Sequence, residues 1–112
     1  MTIEYNKAII RRVWKELMQG NLGIIDECFT DNFVRYAHDG TTMDRQGYKN
    51  YCSMINKNSP RVTIDDMIGE GDKVAYRMTF KNTNGKPVIK ETYFTRFENG
   101  KIVEYVNLYR MF

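Results

Sequence analysis

One acidic residue, Glu91, stands in a predicted strand that is rich in aromatic residues, and this setting could give it acid or base chemistry. If its strand turns it inward among Phe80, Tyr93 and Tyr109, the loss of water would raise the pKa of its carboxyl group toward the range of a general base or acid. A bulge or a different strand register would instead turn it to solvent. Glu91 is therefore the first candidate for catalysis or ligand contact.

Asp66 and His38 are the other candidates for catalytic proton transfer. Asp66 is a possible second acid, although an aspartate near a sheet edge is more often exposed. His38 is the only histidine. It could exchange a proton near neutral pH or orient a carboxylate, or it could simply lie in a loop. No metal site is expected because no second histidine could share an ion, and no cofactor is expected.

The remaining candidates are aromatic and polar residues that would line a concave, mostly apolar cavity, as in a small-molecule site. Packing is the alternative role of the aromatic ones, although a tyrosine hydroxyl in a dry cavity must find a partner. The candidate ligand contacts are Trp14, Tyr36, Tyr76, Met78, Tyr93, Tyr105, Asn107 and Tyr109.

The composition favours one soluble domain over residues 1–112. The chain has 112 residues, of which 42% are hydrophobic, and carries a net charge of +3. This length is sufficient for one hydrophobic core but not for two domains. Its basic residues are scattered among acidic ones, so we expect no nucleic-acid partner. No apolar run approaches the ~20 residues of a membrane span, and we expect no membrane association. Cys28 and Cys52 lack metal or redox spacing, so we expect reduced thiols in a cytoplasmic protein.

Three helices are predicted in the first sixty residues. The first has Ile10, Val13, Trp14 and Leu17 on one face and ends at Gly20. The second has the apolar face Leu22, Ile25, Cys28 and Phe29. After a short extended stretch over 33–38 and a break at 39–42, Asp44 can cap a third helix, with Tyr48, Tyr51, Cys52 and Ile55 on one face and its end at Asn58-Ser59-Pro60.

Four strands are predicted after the helices, over 62–68, 74–80, 88–97 and 102–112. Asn84-Gly85 and Asn99-Gly100 are strong hairpin signals between them. Helices followed by a meander of strands indicate an α+β fold, in which three N-terminal helices cover one face of a mainly antiparallel sheet.

The register of the last hairpin decides where Glu91 points. A two-residue turn at Asn99-Gly100 would place Phe94 on the face of Tyr105, whereas a three-residue loop over 98–100 would pair Tyr93 with Tyr105 and Glu91 with Asn107. A two-residue turn at Asn84-Gly85 places Val74, Tyr76, Met78 and Phe80 opposite Thr95, Tyr93, Glu91 and Ile89. Because that set is mostly apolar it should face the helices, which favours the three-residue loop. Alternation adds Val34, Tyr36 and His38, and Val62, Ile64, Asp66 and Ile68, to the inward face.

Several segments in order resemble the SnoaL-like branch of the nuclear transport factor 2-like superfamily. They are Asn6-Lys7 with Trp14, Gly20-Asn21-Leu22, Asp31-Asn32-Phe33-Val34, the segment from Gly69 to Ala75, and the segment from Phe97 to Glu104. The resemblance implies a cone: a curved sheet wrapped over a long helix, with an internal pocket and a dimer formed through the outer sheet face. Members include polyketide cyclases, ketosteroid isomerase, epoxide hydrolases and dehydratases, so the fold does not fix the activity.

The departures from the family pattern affect the chemistry. Cyclase-like members carry an inward His and Asp on the last strand, where this chain has Tyr105 and Asn107, neither of which exchanges a proton at pH 7. The catalytic positions of ketosteroid isomerase fall at Val13, about Ala37 and about Tyr93, so its chemistry does not carry over. The short loop Asn82-Thr83-Asn84-Gly85 also lacks the overhang of cyclase-like members, which leaves the cavity more open.

Two functions follow from these observations. The first is binding of a hydrophobic or aromatic carbonyl compound, with isomerase- or cyclase-type proton transfer in which Glu91 is the base and Tyr105 or Asn107 donates to the oxygen. The second is a non-catalytic, dimeric ligand-binding or protein-interaction module, favoured by the loss of both family acids. An outer face with Phe94, Val106 and Leu108 among charged residues is suited to a homodimer.

Overall fold

The structure, a computed structural model, describes residues 1–58 and 61–111. The helices are α1 (Ile3–Met18), α2 (Gly23–Cys28) and α3 (Arg45–Asn58). Asp44 caps α3 as predicted, because its Oδ1 accepts a hydrogen bond from the Gly47 backbone N–H at 2.8 Å. Ser59, Pro60 and Phe112, which the sequence places at the end of the third helix and of the last strand, lie outside the described residues.

Six strands form one sheet: β1 (Phe29–Ala37), β2 (Thr42–Asp44), β3 (Arg61–Glu70), β4 (Lys73–Lys81), β5 (Pro87–Glu98) and β6 (Lys101–Met111). Their order is β2-β1-β6-β5-β4-β3, and each neighbouring pair is antiparallel except β1 and β6, which are parallel. The predicted α+β class is confirmed, with three helices packed on a curved, mainly antiparallel sheet that does not close.

The region after α2 differs from the prediction. β1 begins at Phe29, which the sequence assigns to a helical face, and the predicted break ends in β2. Asp39 Oδ1 accepts hydrogen bonds from the Thr41 N–H at 3.0 Å and hydroxyl at 2.7 Å, so the chain turns back on itself there. β2 then pairs antiparallel with β1 and leads directly into α3.

The β4–β5 hairpin has the predicted register through an unexpected turn. Val74, Tyr76, Met78 and Phe80 lie opposite the four predicted partners. The loop holds three residues instead of two, between the Asn82 N–H and the Lys86 carbonyl at 2.9 Å, with Gly85 at a φ of 80°. A register shift next to Phe80 offsets the extra loop residue, so the inward face is the predicted one.

The β5–β6 hairpin has the opposite combination. Asn99 and Gly100 form a two-residue turn with φ values of 51° and 79°, and Glu98 lies opposite Lys101, so the predicted three-residue loop is wrong. A bulge then leaves Val103 without a partner between Phe97 and Arg96. The two-residue turn alone would direct Tyr105 and Asn107 outward, but the bulge reverses the alternation and returns them to the predicted inward face. As a result Tyr93 lies opposite Asn107, and Glu91 lies opposite Tyr109.

Two other strands present different residues from those predicted. β1 buries Phe33 and Arg35, while Tyr36 and His38 are exposed, because Phe33 packs at 4.8 Å from the Phe29 ring and sets the alternation. In β3 a bulge at residue 65 reverses the alternation after Ile64, so Asp66 and Ile68 face outward. The predicted inward positions of Tyr36, His38, Asp66 and Ile68 are therefore wrong.

Aromatic side chains from both layers fill the described interior. Trp14 of α1 packs at 5.6 Å from Phe80 and 5.7 Å from Tyr93, and its Nε1–H donates to the Tyr76 hydroxyl at 2.8 Å. Tyr76 in turn donates to Tyr105 at 3.3 Å. The helical layer is thus joined to the sheet by buried hydrogen bonds as well as by apolar contact.

The substitution Tyr76→Phe tests this chain of hydrogen bonds. It leaves the buried Trp14 N–H without an acceptor, so we expect the free energy of unfolding to fall by about 2 kcal/mol. Urea unfolding would measure the loss, with Tyr5→Phe as the matched control because Tyr5 is exposed on α1. Equal stabilities of the two variants would contradict the structural role assigned to the Tyr76 hydroxyl.

Candidate active site

Glu91 is a buried acid on the inward face of β5. Its side chain is 1% exposed. Oε2 accepts a hydrogen bond from Asn107 Nδ2 at 2.8 Å, whereas the buried Oε1 has no hydrogen-bond partner among the described residues. Desolvation raises the pKa of Glu91 to about 7, against the lowering effects of Asn107, Tyr93 and Arg35. Near neutral pH this carboxyl group can therefore either accept or release a proton.

Asn107 connects Glu91 to a buried guanidinium. Its Oδ1 accepts from Arg35 Nη2 at 2.5 Å and from Nε at 3.2 Å. Arg35 is 2% exposed, lies over the Tyr51 ring at 4.9 Å, and directs Nη1 at the Met43 sulfur at 3.6 Å. Glu91 of β5, Asn107 of β6 and Arg35 of β1 thus form one buried chain of hydrogen bonds.

Arg35 is a buried residue of this cluster that the sequence did not suggest. Alternation along 33–38 admits two phases, and a charged residue weighs against the phase that turns residue 35 inward. The signal that favours this phase is Phe33, two residues earlier, whose ring lies 5.4 Å from Tyr105 and 5.5 Å from Tyr48 in the core. Because Phe33 and Arg35 lie on the same side of β1, burial of Phe33 also buries Arg35. The Asn107 amide oxygen accepts hydrogen bonds from the buried guanidinium and so lowers the cost of burying it.

The buried tyrosines contact one another rather than an open space. Tyr48 and Tyr93 share a hydrogen bond of 3.1 Å between their hydroxyls, and Tyr76 joins Trp14 to Tyr105. Burial raises the pKa of each of these four phenols above its usual value, so they are neutral over the physiological range. Of the predicted ligand contacts, Trp14, Tyr76, Met78, Tyr93 and Tyr105 therefore lie in the packed core.

The remaining predicted residues lie at the edge of this core or outside it. Tyr109 is opposite Glu91 and 39% exposed, and the exposed His38 ring lies 4.9 Å from it. Tyr36 is exposed. Asp66 binds Arg77 on the outer face at 2.8 and 2.6 Å, and this hydrogen bonding lowers the pKa of Asp66. The second acid predicted from the sequence is thus separated from Glu91 by the sheet.

Two of the open cavities lie next to Trp14 or Glu91. One, of about 450 Å³, lies between α1 and β3, and its walls include Trp14, Val62 and Ile64. The other, of about 400 Å³, has Glu91 and Tyr109 among its lining residues together with the outward side chains Arg77, Lys90 and Thr92. Since the Glu91 side chain points inward, the second cavity does not by itself give a ligand access to Oε1.

Comparison with protein families identifies the class to which this fold and site belong. Residues 10–105 match the SnoaL-like domain, and the chain belongs to this family. No match was found among curated protein sequences. Within the described ranges, no helix is long and apolar enough to cross a membrane.

Solved structures share the fold at low sequence identity. IdmH of Streptomyces antibioticus, a proposed polyketide cyclase, is 20% identical with a TM-score of 0.76 over 93% of this chain and 91% of its own. AclR of Streptomyces galilaeus, a proposed hydroxylase, is 20% identical with a TM-score of 0.82 over 98% and 81%. A de novo designed protein with a curved β-sheet is 18% identical with a TM-score of 0.84 over 96% and 87%. The chain thus shares the SnoaL-like fold with these proteins, whose descriptions name no common activity.

The raised pKa of Glu91 predicts that the free energy of unfolding falls as pH rises. The native chain retains the Glu91 proton up to about pH 7, whereas the unfolded chain releases it near the usual value of 4.5. The native state therefore binds more protons between these values, and the free energy of unfolding decreases by about 3 kcal/mol across that window. The stabilisation is complete below pH 4.5 and lost above pH 7.

Urea unfolding from pH 4 to 8 would measure this decrease. Glu91→Gln should flatten the profile between pH 5 and 7 because it removes the titrating group. The matched control is Glu70→Gln, since Glu70 is exposed on β3. A Glu91→Gln variant with the same slope as the parent chain would show that another group controls the profile.

Proposed function

We propose that this chain binds a small hydrophobic or aromatic carbonyl compound and that Glu91 transfers a proton to or from it. The observation that supports this most directly is the free oxygen of Glu91, a buried acceptor in an aromatic environment on an acid whose pKa is about 7. The similarity of the fold to IdmH, a proposed polyketide cyclase, also favours ligand binding or cyclase activity. We treat residues 1–112 as a single functional unit.

The proposed reaction is isomerase- or cyclase-type proton transfer. Ionised Glu91 removes a proton from the carbon next to the carbonyl, and an O–H bond forms at Oε1. The electron pair of the broken C–H bond forms a C=C bond to the carbonyl carbon, and the π electrons of the C=O bond move to its oxygen. Return of the proton to another atom of the ligand completes the isomerisation and restores the carboxylate. The proposed step uses only the protonation and deprotonation of the Glu91 carboxyl group.

The hydrogen-bond donors in this proposal differ from those chosen from the sequence. Asn107 Nδ2 is engaged with Glu91, and the Tyr105 hydroxyl is buried against Tyr76. Tyr109 and Tyr51 are better placed to meet a ligand, because both are partly exposed and border Glu91 or Arg35. Their phenols are the proposed donors to the developing oxyanion, with His38 beside Tyr109 at the rim.

An apolar row on the outer sheet face supports the second function, a dimeric module. Phe94, Val106 and Leu108 are 46%, 40% and 51% exposed, and Phe94 lies directly opposite Val106. Side chains this apolar on a sheet surface favour pairing with a second copy of the chain. The free, buried Cys28 and Cys52 support placing the protein in a reducing compartment such as the cytoplasm.

Thermal-shift screening against steroids, aromatic polyketides, terpenoids and fatty acids would test ligand binding. A ligand present at one hundred times its Kd adds about 2.7 kcal/mol to the free energy of unfolding, so the melting temperature of the protein rises measurably. For a compound found in this way, Glu91→Gln should reduce any turnover by about 100-fold and remove the pH dependence of binding near pH 7. Glu70→Gln should behave as the parent chain. Unchanged binding and turnover in Glu91→Gln would refute the assignment.

Sedimentation analysis would test the dimer. We expect the parent chain to be dimeric at micromolar concentration, and the double substitution Val106→Lys with Leu108→Lys to be monomeric because it places charge in the apolar row. Tyr5→Lys, which changes an exposed residue on α1, should leave the dimer intact. A monomeric parent chain at this concentration would exclude the proposed interface.

A further inference from the structure

We infer that Arg35 is a positioning residue for Glu91 and that it acts through Asn107. The inference deepens the proposed function, since it concerns the same carboxyl group and rests on the role assigned to it there. It starts from geometry: Arg35 of β1 donates twice to Asn107 Oδ1, and Asn107 of β6 donates to Glu91 Oε2 of β5.

The amide of Asn107 fits between the two charges in one orientation only. Its oxygen accepts from the guanidinium, which has only donors, and its nitrogen donates to the carboxylate, which has only acceptors. Rotation of the amide by 180° would direct its N–H groups at Arg35 and its oxygen at Glu91, and both contacts would be repulsive. Arg35 therefore fixes the orientation in which Asn107 supports Glu91.

This orientation also determines which oxygen of Glu91 is available. Asn107 occupies Oε2 at 2.8 Å, so Oε1 is the oxygen left without a partner among the described residues. If the amide lost its fixed orientation, either oxygen could be engaged and the free lone pairs would have no defined direction. Proton transfer depends on that direction, because the reacting atom must lie within hydrogen-bond reach.

The charges around Glu91 make Arg35 its electrostatic partner. The groups that influence it are Arg35 from β1, Tyr51 and Cys52 from α3, Tyr76 from β4 and Tyr93 from β5. Burial raises the pKa of Cys52 to about 12 and raises those of the three phenols, so at pH 7 these four groups are neutral.

Arg35 is thus the only charged member of this set. Its side chain donates to the Asn107 amide oxygen and contacts Met43 and Tyr51, and all three of these neighbours are uncharged. The burial of this cation is stabilised most by the negative charge of an ionised Glu91, which lies on the other side of the Asn107 amide. The proton affinity of Glu91 and the burial of Arg35 therefore depend on each other.

The test measures the pKa of Glu91 by NMR titration of side-chain carboxyl ¹³C signals in the ligand-free chain. Asn107→Ala removes a hydrogen bond to the ionised form and should raise the pKa of Glu91 by about 1. Arg35→Met should also raise it by about 1 in the parent chain. In the Asn107→Ala background, Arg35→Met should add less than half of that increase, because the connection to Glu91 is already absent.

Two further variants keep the test decisive if Arg35→Met does not fold. Arg35→Lys retains the charge but lacks the planar pair of donors that holds the amide, so it should raise the pKa of Glu91 in the parent chain and leave it unchanged in Asn107→Ala. Asn107→Asp replaces the donor by a second carboxylate of the same shape and should raise the pKa more than Asn107→Ala does.

Equal shifts from the Arg35 substitutions in both backgrounds would overturn the proposal, because they would show that Arg35 acts directly through space. The absence of any shift would overturn it as well. These pKa measurements need neither a ligand nor turnover. Failure of the carbonyl chemistry is therefore distinguishable from failure of the Arg35 assignment.

Discussion

The constraint on which the site depends is the burial of two opposite charges that do not touch. Arg35 and Glu91 are 2% and 1% exposed, and a single amide separates them. Direct contact would hold Glu91 ionised with its oxygens occupied, whereas separation leaves desolvation dominant and keeps the pKa near neutrality. The parallel pairing of β1 with β6 brings Arg35 level with the inward face that carries Asn107, so the sheet topology is a requirement of this electrostatic arrangement.

Much of the fold follows from the sequence, because the alternation of apolar residues determines which side of a strand faces the helices. The turn residues determine less reliably which residues pair across a hairpin. In the β4–β5 and β5–β6 hairpins the predicted loop length is wrong, yet the predicted face of β4, β5 and β6 is right. A bulge lies beside each of these two turns, and a change of one loop residue together with a bulge keeps the apolar residues on the same side of the sheet. Where the apolar signal is ambiguous, as around Arg35, or where a bulge has no turn near it, as at residue 65, the predicted face is reversed.

The acid of this site lies on a different strand from the acid of the cyclase-like pattern. The cyclase-like pattern expected from the sequence has an aspartate where this chain has Asn107, and Asn107 donates a hydrogen bond to Glu91 on the neighbouring strand. The inward position of Glu91 could be predicted, because the residues opposite and beside it on the same face are mostly apolar or aromatic. The sequence could not predict the amide bridge, since Asn107 and Arg35 are 72 positions apart and neither suggests the other without the β1–β6 pairing.

The packed interior limits where a ligand can act. Trp14, Tyr48, Tyr76, Tyr93 and Tyr105 satisfy their polar atoms mainly among themselves, and a ligand that displaced one of these rings would break buried hydrogen bonds. Entry is less costly beside Tyr51 and Tyr109, where burial is incomplete and Glu91 is one side chain away. The Asn82–Lys86 connection is a tight turn and provides no overhang there. A carboxyl group whose pKa depends on the absence of water would then be shielded at this edge by the ligand itself, which favours a flat, apolar compound over a small polar one.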